Sequence, residues 1–130
     1  MQEKQILNRI SKAEQRIVDL YRKVTGTPAL SYQVYTALIS QTDKLAPTVT
    51  ILENTIGDIV WTFDSNGEYL GTLPGVFKSG KTYFSALPSQ TTQLKFVRVN
   101  DNIVNLGTAT GGIKTNGLLS NTSIEIRVYN

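Results

Sequence analysis

One run of residues matches a known nucleotide-binding pattern. Residues 75–82, GVFKSGKT, fit G-x-x-x-x-G-K-[ST], a loop that holds phosphates with backbone N–H groups and a helix N-terminus. This chemistry needs a buried strand before the loop and a helix after it. Residues 83–88 are instead strand-like and end at a proline. We therefore predict a hairpin turn around Ser79-Gly80-Lys81, and a phosphate-loop nucleotide hydrolase is only a remote alternative.

The other chemistry-bearing residues form no catalytic or metal-binding pattern. The sequence has no His and no Cys, and its ten acidic residues are scattered singly, so acid–base chemistry would have to use carboxylates, Lys or Tyr. Asp64-Ser65-Asn66-Gly67-Glu68 begins like a calcium loop but lacks the distal Glu and the flanking helices. We predict a hairpin turn there. We expect no catalytic residue, no metal, no cofactor and no enzymatic activity.

Tyrosines on predicted strands are the candidates for a binding surface. Strand periodicity turns some of them away from the core, where an aromatic ring can contact a sugar or a partner protein. The candidates are Tyr32, Tyr35, Tyr83 and Tyr129.

The net charge of +3 is carried by the N-terminal part of the chain. Residues 1–25 hold six basic and three acidic groups, whereas the remainder holds seven of each. Acids and bases alternate along this segment, which is typical of a solvated helix face rather than of a nucleic-acid interface. The first ten residues have no apolar run, so we expect no secretory signal. No stretch approaches the roughly 20 apolar residues of a membrane span.

Residues 3–24 show the heptad repeat of a coiled coil. With Glu3 at position a, every later seam position is apolar, which is the repeat that makes helices wind around each other. Arg9 at position g faces Glu14 at position e of a neighbouring parallel chain, an attractive pair. The predicted oligomer interface consists of Ile6, Ile10, Ala13, Ile17, Leu20 and Val24, flanked by Arg9 and Glu14.

The helix should end where Gly26 and Pro28 occur, since glycine caps helices and proline blocks their continuation. The seam mixes dimer and trimer preferences, and Leu7 and Tyr21 widen its apolar stripe, so we favour a trimer over a dimer. An amphipathic helix lying on its own β domain is the alternative. Because three heptads are marginal alone, we expect the β domains to associate as well.

After Pro28 the apolar period changes to two, which predicts strands. The division is an oligomerisation helix over 1–25, a linker over 26–31 and an antiparallel β domain over 32–130, folded as a sandwich or barrel. The protein as a whole is therefore mainly β. The predicted strands are 32–41, 48–53, 58–64, 68–73, 81–87, 94–100, 103–106 and 123–129.

The first hairpin of this domain has a predicted register. A three-residue turn with Gly67 in the left-handed conformation pairs Phe63 with Tyr69 and Trp61 with Gly71. This register places large apolar side chains on one face, and burying that face is favourable. We therefore predict that Trp61 is a core residue.

Three segments, SYQVYTALISQ, ILENTIGDIVWTFDSNGEYLGTL and NTSIEIRVYN, resemble small virion-associated proteins of tailed phages and prophages of Bacteroidetes hosts. The resemblance carries no catalytic motif. It implies a structural role, such as a fibre, spike-stem or capsid decoration subunit, made in the host cytoplasm and incorporated into the virion beside other structural proteins. A β module that binds a host-surface glycan or protein is the alternative function.

Overall fold

A computed structural model describes residues 31–89 and 91–130. The predicted coiled coil, its oligomer interface and most of the predicted linker lie outside the described residues and stay predictions. Residues 32–130 form one compact unit. Its strands are β1 Tyr32–Ser40, β2 Thr48–Asn54, β3 Val60–Ser65, β4 Glu68–Thr72, β5 Thr82–Leu87, β6 Gln93–Arg98, β7 Ile103–Thr110, β8 Ile113–Lys114 and β9 Thr122–Tyr129.

The strands form two antiparallel sheets. In the first sheet the order is β2-β1-β9-β5, and in the second it is β3-β4-β7-β6, with β8 pairing with β7. Every strand pair is antiparallel. The first sheet joins strands from the two ends of the domain, because β9 lies between β1 and β5.

One hydrophobic core lies between the two sheets. The first sheet contributes the inward side chains of β1 and β9, among them Tyr35 and Ile126, and the second contributes Trp61, Tyr69 and Leu106. The indole Nε1 of Trp61 donates a hydrogen bond to the hydroxyl of Tyr35 at 3.2 Å, which joins the sheets inside the core. The predicted antiparallel β class is therefore confirmed, and its form is two sheets packed face to face.

The hairpin register is confirmed. Phe63 pairs with Tyr69 and Trp61 with Gly71, and Gly67 has a φ of 69°. Trp61 is 7% exposed, so it is a core residue as predicted. Only glycine leaves room opposite it, because a Cβ added at Gly71 would lie 2.9 Å from Ile59 Cγ2 and 3.1 Å from Trp61 Cζ3.

Three expectations need correction. The turn around Ser79-Gly80-Lys81 is not a hairpin turn, because β4 lies in the second sheet and β5 in the first. Tyr35 was a candidate for an exposed tyrosine, but it is 1% exposed. Tyr35 lies three residues from Tyr32. Because successive side chains of a strand point to opposite faces, it lies on the opposite face of β1. The two-residue strand β8 was not predicted, and β7 continues to Thr110 to pair with it.

Candidate functional site

The motif at residues 75–82 does not form a phosphate-binding loop. The strand β5, not a helix, follows it. Phe77 at its centre is fully buried, its N–H donates to the carbonyl of Asp101 at 2.9 Å, and its carbonyl accepts from Arg98 Nε at 2.7 Å. The N–H of Gly75 donates to Asn102 Oδ1 at 2.8 Å. The backbone N–H groups of Gly75, Phe77 and Lys81 thus donate within the domain rather than to a phosphate.

Three tyrosines and an arginine meet on the outer face of the first sheet. Tyr32 pairs with Tyr129 across β1 and β9, and Tyr83 pairs with Arg127 across β5 and β9. Since Arg127 and Tyr129 are two residues apart, they point to the same face. We call Tyr32, Tyr83, Arg127, Tyr129 and the adjacent Glu125 the tyrosine–arginine cluster.

The guanidinium of Arg127 holds the cluster together. It lies 4.8 Å from the ring centroid of Tyr32 and 5.7 Å from that of Tyr83, and both distances are typical of cation–π contacts. Its Nε donates to Glu125 Oε1. Interactions with Tyr129 and Glu125 raise the pKa of Arg127, so the guanidinium stays charged. Tyr83 is 50% exposed and Tyr129 38% exposed, which leaves ring surface open to a ligand.

Comparison with protein-family models, with curated proteins and with solved structures found no significant match. Any function must therefore be argued from the residues themselves. Among the described residues, no group of three or more His, Cys, Asp or Glu is placed to hold a metal ion. In the same part of the chain, no helix has the length and apolar character needed to cross a membrane.

The outer face of the second sheet presents a different surface, which has no charge over two neighbouring cross-strand rows. One row runs from Val60 through Thr72 to Ile103 and Val99, and the other from Thr62 through Leu70 to Asn105 and Val97. Val60 is 62% exposed and Val99 51% exposed. We call Val60, Leu70, Val97, Val99 and Ile103 the aliphatic face.

A shallow groove of about 230 Å³ lies at the other end of this sheet. The carboxylate of Glu68 accepts from Lys114 Nζ at 2.8 Å and from Asn105 Nδ2 at 2.8 Å. Gln93 Oε1 accepts from the N–H of Gly112 at 3.1 Å. Partial burial works against the charged form of Glu68, but its bonds to Lys114 and Asn105 outweigh this and lower its pKa. The polar groups of the groove thus bind one another.

Gln41 is a buried residue that no sequence pattern indicated. It is 2% exposed. Its Oε1 accepts hydrogen bonds from the Tyr69 hydroxyl and the Gly117 N–H, both at 2.7 Å. Its Nε2 donates to three carbonyls of the loop after β1, those of Thr42, Asp43 and Leu45. One amide group therefore fixes two loops to the core.

We expect Gln41→Leu to destabilise the domain by about 2–4 kcal/mol, because each buried partner left unpaired costs roughly 1–3 kcal/mol and the loops can rehydrate some of them. Urea unfolding measures this loss. The matched control is Gln93→Leu, since Gln93 is exposed and makes one hydrogen bond; surface substitutions of this kind change stability by about 0.5 kcal/mol or less. Equal losses for the two variants would contradict the structural role of Gln41.

Proposed function

We propose that the protein is a non-enzymatic structural subunit of a virion, a fibre, spike-stem or capsid decoration subunit. It assembles as a homotrimer through the heptad seam of residues 3–24 and contacts other virion proteins. The heptad pattern and the resemblance of most of residues 31–130 to phage virion proteins support this proposal. The β domain is the exposed part of the particle, and no step of the proposal requires a cofactor, a nucleic acid or a membrane span.

The aliphatic face is the observation that carries the proposal. Each of its four strands has two adjacent apolar residues, one for the core and one for the outer face: Val60-Trp61, Tyr69-Leu70, Phe96-Val97 and Ile103-Val104. A sheet that is apolar on both faces is typical of a sheet covered on both faces. The absence of charge in its two rows suits a second copy of the same chain.

The aliphatic face is too small to hold an oligomer by itself. Five aliphatic side chains offer much less than the about 800 Å² that each partner buries in a standard interface. A coiled coil that joins the chains raises the effective concentration of the β domains to the millimolar range, so a weak contact between β domains suffices. The marginal coiled coil and the small aliphatic face therefore stabilise the oligomer together.

Disrupting the seam should dissociate the protein. We expect the wild-type mass in solution to be about three times the 14.3 kDa of one chain. Ile10→Asn/Ile17→Asn places two amides in the seam and should lower the light-scattering mass to that of a monomer, because each amide at position a costs stability and a coil of three heptads is already marginal. Ser11→Asn/Val18→Asn is the matched control, since both residues lie at the outward position b. A monomeric wild-type protein at micromolar concentration would contradict the proposal.

The contribution of the β domains to trimer stability is tested in a protein whose heptad seam is intact. Val60→Lys/Val97→Lys places like charges on the aliphatic face of every copy, and we expect the trimer to dissociate at tenfold or more higher protein concentration. Because three chains associate, this shift corresponds to a roughly 100-fold change in the dissociation constant, or about 2.8 kcal/mol. Lysine at Thr48 and Thr50 of β2, two exposed positions on the first sheet, provides the control. An unchanged dissociation profile for the first variant would show that the aliphatic face stays uncovered.

Binding of a host-surface glycan by the β domain is the second candidate function. The observation that favours it is the gathering of three tyrosines on one sheet face in the tyrosine–arginine cluster. The two functions are compatible, because the cluster and the aliphatic face lie on different sheets.

A further inference from the structure

The exposed aromatic residues of the β domain are concentrated in one place. Of the ten aromatic residues in the described part of the chain, seven are buried in the core or packed against it. The remaining three are Tyr32, Tyr83 and Tyr129, and all three belong to the tyrosine–arginine cluster. Scattered surface aromatics are ordinary, whereas a contiguous exposed group marks an interaction surface.

The polar groups between these rings restrict the chemistry of the ligand. Glu125 supplies carboxylate oxygens that accept hydrogen bonds, and Arg127 supplies guanidinium N–H groups that donate them. The two side chains are bonded to each other, so the charge of Arg127 is offset by that of its neighbour Glu125. A strongly anionic ligand would meet the carboxylate of Glu125 beside the guanidinium. A neutral ligand that both donates and accepts hydrogen bonds fits better.

The side chains of the cluster are preorganised for binding. Its residues come from three neighbouring strands, with the central strand β9 between β1 and β5. Arg127 is fixed by Glu125 and by the rings of Tyr32 and Tyr83, and Tyr129 rests against Tyr32 with ring centroids 5.2 Å apart. Side chains that are already ordered lose little entropy on binding, which increases the affinity for a ligand.

We propose that the tyrosine–arginine cluster is a binding site for a neutral carbohydrate. The C–H faces of pyranose rings pack on the open surfaces of Tyr83 and Tyr129, and the sugar hydroxyl groups exchange hydrogen bonds with Glu125 and Arg127. A sugar combines an apolar face with paired donors and acceptors, and the cluster presents the complement of both. This inference deepens the second candidate function, and it holds for a monomer or a trimer alike.

The test uses the full-length protein and four neutral hexasaccharides: cellohexaose, maltohexaose, laminarihexaose and mannohexaose. Saturation-transfer NMR and calorimetry measure binding. We expect at least one sugar to bind with a dissociation constant of about 1 mM or tighter, which is ordinary for a single exposed site. Tyr83→Ala and Tyr129→Ala should each weaken that binding about 3–10-fold, the range of one aromatic contact. Glu125→Gln should weaken it about tenfold through the lost charged acceptor.

Leu87→Ala is the matched control. Leu87 is 73% exposed on the same face of the same strand as Tyr83 but outside the cluster, so its loss should leave sugar binding unchanged. Each variant must keep the thermal unfolding midpoint of the wild type, which separates lost binding from lost folding.

Three results would overturn the inference. The first is no binding of any of the four sugars at about 10 mM, a concentration that detects even very weak sites. The second is full binding by Tyr83→Ala/Tyr129→Ala. The third is binding of a sulfated polysaccharide with none of the neutral sugars. The light-scattering mass of the same samples is independent of all three, so failure of the trimer and failure of the sugar site are distinguishable.

Discussion

Replacing Trp61 with alanine should lower the free energy of unfolding of the β domain by about 3–5 kcal/mol, as large-to-small changes of core aromatics do. Trp61 is 7% exposed, and its ring contacts Phe96 with centroids 6.4 Å apart. Alanine would leave a cavity over Gly71, and the backbone of Gly71 cannot move inward to fill it. It would also remove the hydrogen bond that joins Trp61 to Tyr35 across the two sheets.

Urea unfolding followed by circular dichroism measures this loss in both proteins. The wild type offers an independent reading, because Trp61 is the only tryptophan. Its emission should be blue-shifted and should resist quenching by iodide. Thr62→Ala is the matched control, since Thr62 is the next residue on β3 and points to the exposed face. Water-like emission together with an unchanged unfolding midpoint for Trp61→Ala would place the indole at the surface.

A double-mutant cycle separates the hydrogen bond from the packing. Trp61→Phe keeps an aromatic ring but leaves the hydroxyl of Tyr35 without its partner, which costs roughly 1–3 kcal/mol. Adding Tyr35→Phe removes the unpaired hydroxyl and should recover part of that loss. Additive effects of the two substitutions would mean that the bond contributes nothing to stability.

The strands were predictable because local pattern determines them. Alternating apolar residues located eight of the nine strands within a few residues of their ends, and turn chemistry at Gly67 gave the register of the first hairpin. The order of strands within the sheets was not predicted. The pairs β1–β9 and β5–β9 join segments far apart in sequence, and no local pattern reports which distant strands meet.

The surfaces of the domain were harder to predict than its core. Strand periodicity indicated Tyr32, Tyr83 and Tyr129, together with the buried Tyr35, as candidates. It could not place the first three side by side, since this depends on the order of β1, β9 and β5. The aliphatic face did leave a signal, because apolar pairs such as Val60-Trp61 break the alternation of a half-exposed strand. Gln41 left no signal in the sequence, because its burial follows from the loops that its amide group joins.

The glycine at the first hairpin should tolerate no side chain. Gly67 has a φ of 69°, and a Cβ added there would lie 2.4 Å from the carbonyl oxygen of Thr108 and 2.8 Å from the nitrogen of Thr115. Both neighbours are backbone atoms and cannot rotate away. Gly67 also accepts a 2.7 Å hydrogen bond from the Thr108 N–H and donates one of 2.7 Å to Asn116 Oδ1, so moving the turn breaks its contacts with β7 and the loop after β8.

We therefore expect Gly67→Ala to destabilise the domain by about 2–5 kcal/mol, from roughly 1–2 kcal/mol of left-handed backbone strain and about 1–3 kcal/mol of forced displacement. Gly80→Ala isolates the second contribution. Gly80 has nearly the same φ, 73°, but no atom within 4 Å of an added Cβ, so its substitution should cost the backbone strain alone. Urea unfolding of both variants gives the difference. If the two losses are equal, the turn at Gly67 moves freely, and the close packing of this hairpin against Thr108 and Thr115 does not hold the second sheet in register.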